Sequence, residues 1–131
     1  MQIHQSAEDY LETILMLTQR MGKVRSIDVV NELGFTKASV SIAMKKLREN
    51  GYIAVDGEGN LTLLEPGREI AERIYSRHRL LQHFFMQLGV DEKTAAEDAC
   101  KAEHILSEQT LEKIHEYALQ HDAESTLTKS E

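Results

Sequence analysis

A short segment near the end of the chain, 99-ACKAEHIL-106, carries the side chains best suited to chemistry. It places Cys100, the only cysteine, three residues before Glu103 and four before His104. On a helix, residues at positions i, i+3 and i+4 share one face, so these three side chains can point at one centre. Thiolate, carboxylate and imidazole are all ligands for divalent transition metals. The segment is therefore a candidate metal site. A cysteine nucleophile beside a histidine base and an ordinary helix face are the alternatives.

A complete metal shell needs donors from other parts of the chain. Asp9 and Glu12 form an i, i+3 pair on the first predicted helix, and His78 lies midway along a later one. Each also has an ordinary structural interpretation. Asp9 could be the acid of a capping box, Glu12 and Glu103 could be solvated charges, and His78 belongs to the basic stretch 77-RHR-79. The residues alone leave metal binding and these structural roles open.

The rest of the sequence gives little support for an enzyme. No segment suggests an oxyanion hole or a substrate pocket beside Cys100 and His104, so we expect neither catalysis nor a small organic substrate. The remaining histidines have no such neighbours and are expected to be surface or packing residues: His4, His83, His115 and His121.

Composition narrows the class of protein. The chain has 131 residues, 41% hydrophobic and 28% charged, with no tryptophan and one proline. These values favour a largely helical globular protein of one or two small units. No apolar run approaches the roughly 18 residues of a membrane-spanning helix, and the opening MQIHQSAEDY lacks the layout of a signal peptide. We therefore expect a cytoplasmic protein with no membrane partner.

The net charge of −7 is unevenly distributed along the chain. Between Arg20 and Asn50, seven basic residues stand against three acids, whereas from Glu65 onward fourteen acids outnumber eight basic residues. A local excess of positive charge is typical of a surface that faces nucleic-acid phosphates. The pattern predicts a basic, DNA-facing module joined to an acidic module with another role.

Two short periodic segments predict a helix-turn-helix. The first, 26–34, begins at Ser26 as its N-cap and ends at Gly34, and the second, 37–50, has Thr36 as its N-cap. Two helices joined by a turn of about three residues have the shape of a DNA-binding helix-turn-helix.

The remaining elements are predicted from periodicity and turn residues. YIAV and LTLL flank the turn-forming DGEGN, so residues 52–64 are expected to form an antiparallel hairpin. A hairpin after a helix-turn-helix makes a winged helix. Apolar stripes predict further helices at 6–22, 66–88, 92–106 and 108–120.

A winged helix lays its second helix-turn-helix element in the major groove, where all four base pairs can be distinguished. In the segment 37–50, burial of Val40, Met44 and Leu47 leaves cations, small hydroxyls and one apolar side chain facing outward. Arg25 and the loop 56–60 are placed to flank it on the phosphates. A merely solvated face is the alternative. The predicted DNA-binding residues are Arg25, Thr36, Lys37, Ser39, Ser41, Ile42, Lys45 and Lys46.

These features together resemble a known family, the iron- and manganese-dependent repressors of the diphtheria toxin repressor and manganese transport regulator group. The resemblance rests on SAEDYLETI, the helix-turn-helix, the wing, RHRLL and ACKAEHILS, in that order, and spans about residues 5–120. It implies a mainly α fold, in which an N-terminal winged helix-turn-helix with a two-stranded wing precedes an all-α dimerisation domain. It also implies a homodimer that binds near-palindromic double-stranded operator DNA.

The resemblance also implies domain bounds and a ligand set. We expect a DNA-binding domain at 1–66, a metal-binding and dimerisation domain at 67–121, and a frayed tail at 122–131. By position, the family's metal ligands correspond to Asp9, Glu12, His78, Cys100, Glu103 and His104.

This sequence mixes features of the family's two branches. The manganese branch usually has a glutamate at the position of Cys100, while the iron branch has the cysteine but a methionine at the position of Asp9. The iron branch's second site is in doubt, because Gln82 and Ala96 replace two of its ligands. A thiolate favours Fe(II), Co(II) or Zn(II) over Mn(II). We expect Fe(II) as the physiological ion and Mn(II) next, with Zn(II) or Co(II) substituting in vitro; a redox repressor that oxidises Cys100 is the alternative.

Overall fold

The computed structural model describes the main chain of residues 5–129 and the side chains of residues 6–122. Contacts divide the chain into two compact units between Ile74 and Tyr75, within the fourth helix. Over the described residues, no helix is long and apolar enough to cross a membrane. The elements are α1 (Gln5–Met21), α2 (Ser26–Leu33), α3 (Lys37–Glu49), β1 (Ile53–Val55), β2 (Leu61–Leu63), α4 (Glu65–Gln87), α5 (Glu92–Ala102) and α6 (Glu108–Lys129).

The first unit is a winged helix-turn-helix, as the sequence predicts. Helices α1, α2 and α3 contact one another, α1 also contacts β2, and α3 contacts β1. The predicted stripes of α1 and α3 are buried, which places the core between the three helices and the hairpin. Buried core residues of this unit include Leu11, Ile14, Val29, Val40, Met44, Leu47, Ile53 and Leu61.

Local capping explains how α2 and α3 are separated. Gly34 adopts a left-handed conformation (φ 72°) and ends α2. A residue with a Cβ adopts this conformation less readily than glycine. Thr36 then caps α3, because its Oγ1 accepts a hydrogen bond from Ser39 N at 3.1 Å. The predicted N-cap of α2 is wrong by one residue. Arg25 occupies that position, and its main-chain N–H donates to Asp28 Oδ2 at 2.8 Å.

The wing is a short antiparallel hairpin whose turn is held by one aspartate. Ile53 pairs with Leu63 and Val55 with Leu61. In the turn, Asp56 Oδ1 accepts hydrogen bonds from the main-chain N–H groups of Glu58 and Asn60, each at 2.9 Å. These bonds favour the ionised carboxylate and hold the pKa of Asp56 below its usual value. The turn of the wing is therefore held by hydrogen bonds, although it contains two glycines.

Gly67, in the first turn of α4, lies directly against the main chain of Tyr52. A Cβ at this position would overlap the carbonyl oxygen of Tyr52 and lie 3.3 Å from a Leu11 methyl group. A carbonyl within the fold cannot move aside as a flexible side chain can. We expect Gly67→Ala to lower the free energy of unfolding by about 1–3 kcal/mol, the usual cost of overpacking.

Chemical denaturation of the metal-free protein, followed by circular dichroism, tests this expectation. Gly57→Ala is the matched control, because a Cβ there meets nothing within 4 Å. Equal unfolding midpoints for the two variants would show that the contact with Tyr52 does not constrain the fold.

The second unit contains the rest of α4 together with α5 and α6. Leu81, Ala99 and Leu111 form its buried centre. Asp91 caps α5 by accepting a hydrogen bond from Thr94 N at 3.1 Å, which lowers the pKa of the Asp91 carboxyl. Partly buried residues packed against this centre are Leu80, Phe85, Ala102, Leu106 and Ile114. The predicted mainly α fold with an N-terminal winged helix-turn-helix is confirmed.

The ends of the last two helices differ from the prediction. Helix α5 stops at Ala102 rather than near residue 106, and α6 continues to Lys129 rather than ending near 120. Most of the segment predicted to be frayed is thus helical, although it lacks a clear apolar stripe; residues 130–131 lie outside the described part. A polar helix without a stripe leaves no periodic signal by which to place its end.

His83 is exposed, in line with the prediction, but it has hydrogen-bond partners that its neighbours in the sequence did not indicate. Its Nε2 lies 2.9 Å from Asp122 Oδ2, and the Gln87 amide donates to Asp122 Oδ1 at 2.7 Å. The bond with His83 is the largest cause of a lowered pKa for Asp122. The ring of His121 stacks on that of Tyr117. His4 lies outside the described residues.

Candidate metal centre and DNA-facing surface

Glu103 is the centre of the candidate metal site. Its side chain is fully buried, with 0% relative exposure, which is rare for a glutamate. One carboxylate oxygen, Oε2, lies 3.0 Å from His78 Nδ1, and the other, Oε1, lies 3.4 Å from His104 Nε2. Two predicted ligands of the second unit, both imidazoles, therefore lie beside the carboxylate of a third.

Cys100 joins this group from the preceding turn of α5. A Glu103 carboxylate oxygen lies within 4.8 Å of its sulfur atom. The cysteine is exposed, whereas the side chains of Glu103 and His104 are almost completely buried. Each of the other three predicted ligands of the second unit thus lies near Glu103, and Cys100 is the most exposed of the four.

The local geometry of the motif differs from the single helical turn that its spacing suggested. Because α5 ends at Ala102, Glu103 is the C-cap residue and His104 belongs to the turn that follows. The cap keeps helical angles (φ −59°, ψ −23°), and its N–H donates to Ala99 O at 2.9 Å. The i, i+3 relation of Cys100 and Glu103 is therefore preserved, which explains why the spacing still predicted their proximity.

The two remaining predicted ligands lie on α1 in the first unit. Glu12 is buried, with 5% relative exposure, and Asp9 is partly buried, so neither is an ordinary solvated charge. Their i, i+3 spacing within α1 puts them on one side of that helix.

The chemistry of Glu103 fits a cation. Among the described residues, its Oε1 has no hydrogen-bond partner, although the His104 imidazole lies 3.4 Å away. Burying a carboxylate without full compensation costs several kcal/mol in rough terms, so such a group is normally paired or bound to a metal. Imidazole, carboxylate and thiolate form a mixed donor set for a transition metal rather than for Ca²⁺ or Mg²⁺.

The predicted DNA-binding residues form an exposed surface on the first unit. All eight are exposed, while Val40, Met44 and Leu47 on the opposite side of α3 are buried. Ile42 is 57% exposed, which is unusual for an isoleucine and suits contact with a thymine methyl group. Thr36 and Ser39 also bond to each other through their hydroxyls at 2.9 Å, so they are held in place as a cap.

Arg25 connects α2 to the wing. It forms an isolated β-bridge with Asn60, and its guanidinium lies beside Gly59, whose added Cβ would be 3.4 Å from it. The neighbouring Leu61 N donates to Val24 O at 2.7 Å. Arg25 is therefore fixed along the wing turn, beside the loop 56–60 that is predicted to flank α3, the proposed recognition helix, together with it.

Sequence reasoning missed Arg77. Its NH1 donates to the main-chain oxygen of Glu103 at 3.3 Å. The end of α5 could have indicated that a donor is needed near Glu103, because the last carbonyls of a helix need donors from elsewhere. The sequence analysis placed this end near residue 106, so it gave no reason to look for such a donor.

A winged helix with an exposed cationic third helix, followed by a helical unit that contains candidate metal ligands, indicates a metal-dependent transcriptional regulator. Two family-wide sequence patterns match the chain. "Iron dependent repressor, N-terminal DNA binding domain" matches residues 2–61, and "Iron dependent repressor, metal binding and dimerisation domain" matches residues 64–123. The chain belongs to this iron-dependent repressor family, which confirms the resemblance to the diphtheria toxin repressor and manganese transport regulator group.

The relatives agree with this assignment. The chain is 38% identical over 112 residues to an uncharacterized HTH-type transcriptional regulator of Methanocaldococcus jannaschii, covering 84% of this chain and 90% of that protein. It is 34% identical over 109 residues to the HTH-type transcriptional regulator MntR of Bacillus subtilis, covering 83% and 77%. These relatives are transcriptional regulators rather than enzymes.

Solved structures show the same fold. A manganese-dependent transcriptional repressor in complex with manganese superposes with a TM-score of 0.78 at 28% identity, over 86% of this chain and 52% of that chain. The manganese regulator SloR gives a TM-score of 0.76 at 27% identity, over 88% and 54%. The chain therefore spans about half the length of these solved relatives.

Proposed function

We propose that this protein represses transcription by binding operator DNA as a homodimer when it is loaded with Fe(II) or Mn(II), and that it thereby controls metal-ion homeostasis in the cytoplasm. The observation that carries this proposal is the fully buried Glu103 carboxylate, with two imidazoles and a thiol around it, in a chain that also has an exposed cationic recognition helix. The family assignment supports it.

The proposed metal ligands come from both units. His78, Cys100, Glu103 and His104 belong to the second unit, and Asp9 and Glu12 of α1 are proposed to complete the set. A divalent cation held by these residues would supply the positive charge that lets several anionic donors converge. Without it, carboxylates and a thiolate directed at one centre repel one another.

Regulation then follows from a population shift. Donors on two units can serve one centre only in some arrangements of those units, so loading selects those arrangements. If they hold the two recognition helices of a dimer about one DNA turn apart, roughly 34 Å, both half-sites of a near-palindromic operator are bound together.

The identity of the metal is proposed from Cys100. A thiolate among harder carboxylate donors favours Fe(II) over Mn(II), while Asp9 and Glu12 keep Mn(II) close behind. Zn(II) and Co(II) are expected to bind tightly in vitro, because affinity generally rises from manganese toward copper in this series.

Anaerobic DNA-binding titrations test the function and the metal together. A duplex operator is first selected from a random pool with the Fe(II)-loaded protein, and its affinity is then measured with Fe(II), with Mn(II) and without metal. Wild type should bind more tightly with Fe(II), while Cys100→Glu should prefer Mn(II), because a carboxylate replaces the softer thiolate.

The outcomes separate the alternatives. Response of wild type to Mn(II) alone at cellular concentrations would refute the iron preference. DNA binding that ignores metal but is lost on peroxide treatment, and that Cys100→Ser makes peroxide-resistant, would replace the metal sensor with a thiol-based redox repressor. Each metal serves as the control for the other, because the protein and the duplex are the same in every titration.

A further inference from the structure

Arg77 and His78 are neighbours on α4, and both contact Glu103. Arg77 NH1 donates to the main-chain oxygen of Glu103 at 3.3 Å, and His78 Nδ1 lies 3.0 Å from its carboxylate. The Arg77 side chain is mostly buried, with 19% exposure. Two adjacent residues of α4 thus hold one residue of the candidate site, one through its backbone and the other through its side chain.

The main-chain oxygen that Arg77 contacts lies at the end of α5. No N–H group of the helix is left there to donate a hydrogen bond to it. The last carbonyls of a helix lack partners within it, and Glu103 is the C-cap residue of α5. A guanidinium at this end also carries the charge that the negative pole of the helix favours. Arg77 therefore fixes the place at which the chain leaves α5 and turns through His104.

An ordinary surface ion pair does not account for this position. Arg77 NH2 is 4.0 Å from a Glu108 carboxylate oxygen, but the Glu108 side chain is 88% exposed. Exposed pairs of this kind contribute little to stability. The bond to the Glu103 carbonyl is the shorter contact and lies in the more buried surroundings.

We propose that Arg77 is a positioning residue for the metal site. By holding the Glu103 carbonyl, it sets the direction in which the Glu103 carboxylate and the His104 imidazole present their donor atoms. It is not itself a ligand, since a guanidinium has no lone pair to donate. The proposal rests on the proposed metal-sensing function.

The test uses Co(II) as a spectroscopic probe with the full-length protein. Affinity is measured by competition with a chelator, and the visible absorption bands report the geometry of the donors. We expect Arg77→Ala to weaken Co(II) binding by about 10–100-fold, the usual effect of losing a partner that orients metal ligands, and to alter the bands. Arg77→Lys, which keeps a donor and the charge, should restore part of the affinity.

Two control variants separate positioning from general packing. Glu108→Ala removes the ion pair but leaves the bond to Glu103, so it should bind Co(II) as wild type does. Arg79→Ala removes the neighbouring arginine that lies 5.8 Å from the Tyr75 ring, and it should also leave the bands unchanged. If Arg77→Ala does not fold, Arg77→Met takes its place, because it keeps an apolar stem of similar length but removes the donor and the charge.

The results distinguish this inference from the proposed function. Wild-type affinity and unaltered bands in Arg77→Ala, or in Arg77→Met where alanine is not tolerated, would overturn the positioning role alone. If wild type itself fails to bind Co(II), Fe(II) or Mn(II), both the proposed function and the role of Arg77 are refuted.

Discussion

Replacing Glu103 with glutamine should abolish metal-dependent operator binding while leaving the protein folded. The amide keeps the shape of the side chain but removes the negative charge at the centre of the candidate site. Loss of a residue that merely orients metal ligands costs about 10–100-fold in affinity, so loss of a proposed ligand should cost about 100-fold or more. Without loading, the arrangement that binds both half-sites is no longer selected.

The effect on stability should differ in sign from the effect on metal binding. Glu103 is fully buried, and burying a carboxylate costs more than burying an amide of the same shape. The metal-free Glu103→Gln protein should therefore melt at the same temperature as wild type or slightly higher, even though the contacts with His78 and His104 change. Stability and function are thus predicted to separate at this residue.

Calorimetric metal titration and thermal melting of the same samples measure the two effects. Glu97→Gln is the matched control, because Glu97 is an exposed acid on α5, the helix whose C-cap is Glu103. It should match wild type in both experiments. Undiminished metal-dependent DNA binding in Glu103→Gln would remove the central residue from the proposed mechanism.

Much of the first unit could be predicted from sequence because its signals are local. Gly34 must end α2, Thr36 can cap α3, and the spacing of Val40, Met44 and Leu47 requires one buried face. Each of these rules acts over a few residues. The one error, Ser26 in place of Arg25 as the N-cap, arose because Asp28 forms the capping contact through its own carboxylate.

The candidate site was only partly predictable for the opposite reason. Cys100, Glu103 and His104 are close in sequence, so helical spacing sufficed to group them, even though the helix ends at Ala102. The contacts of Glu103 with His78 and Arg77 join residues 25 and 26 positions apart. No periodic rule predicts such pairs. The sequence offered His78 as a candidate donor by residue type, and family resemblance then assigned it to the expected ligand set.

The bond between His83 and Asp122 shows the same limit. The two residues are 39 positions apart and exposed or partly exposed, so neither hydrophobic period nor spacing connects them. An isolated histidine in a sequence is therefore weak evidence that it lacks a partner in the fold. The burial of Glu103 is also invisible in the sequence. Only the residues close to Glu103 in the chain indicated that it belongs to a site.

Replacing Lys45 and Lys46 with alanine should weaken operator binding on the order of 100-fold near physiological salt, because each lysine that neutralises a phosphate releases counterions. Both lysines are exposed on α3, away from its buried stripe. A homodimer would carry four of them. If all four contact phosphates, the slope of log affinity against log salt should become shallower by about 3–4.

Fluorescence anisotropy with a labelled operator at several salt concentrations measures both quantities. Lys113→Ala is the control, because Lys113 is as exposed as Lys45 and also belongs to a surface ion pair. Lys113 lies 3.5 Å from Glu116, and Lys45 lies 4.0 Å from Glu49. Metal affinity without DNA should be unchanged in both variants, since none of these lysines belongs to the proposed ligand set. An unaltered salt slope in the α3 variant would mean that another surface faces the phosphates, while a lower metal affinity would mean that α3 affects the ligands as well as the DNA.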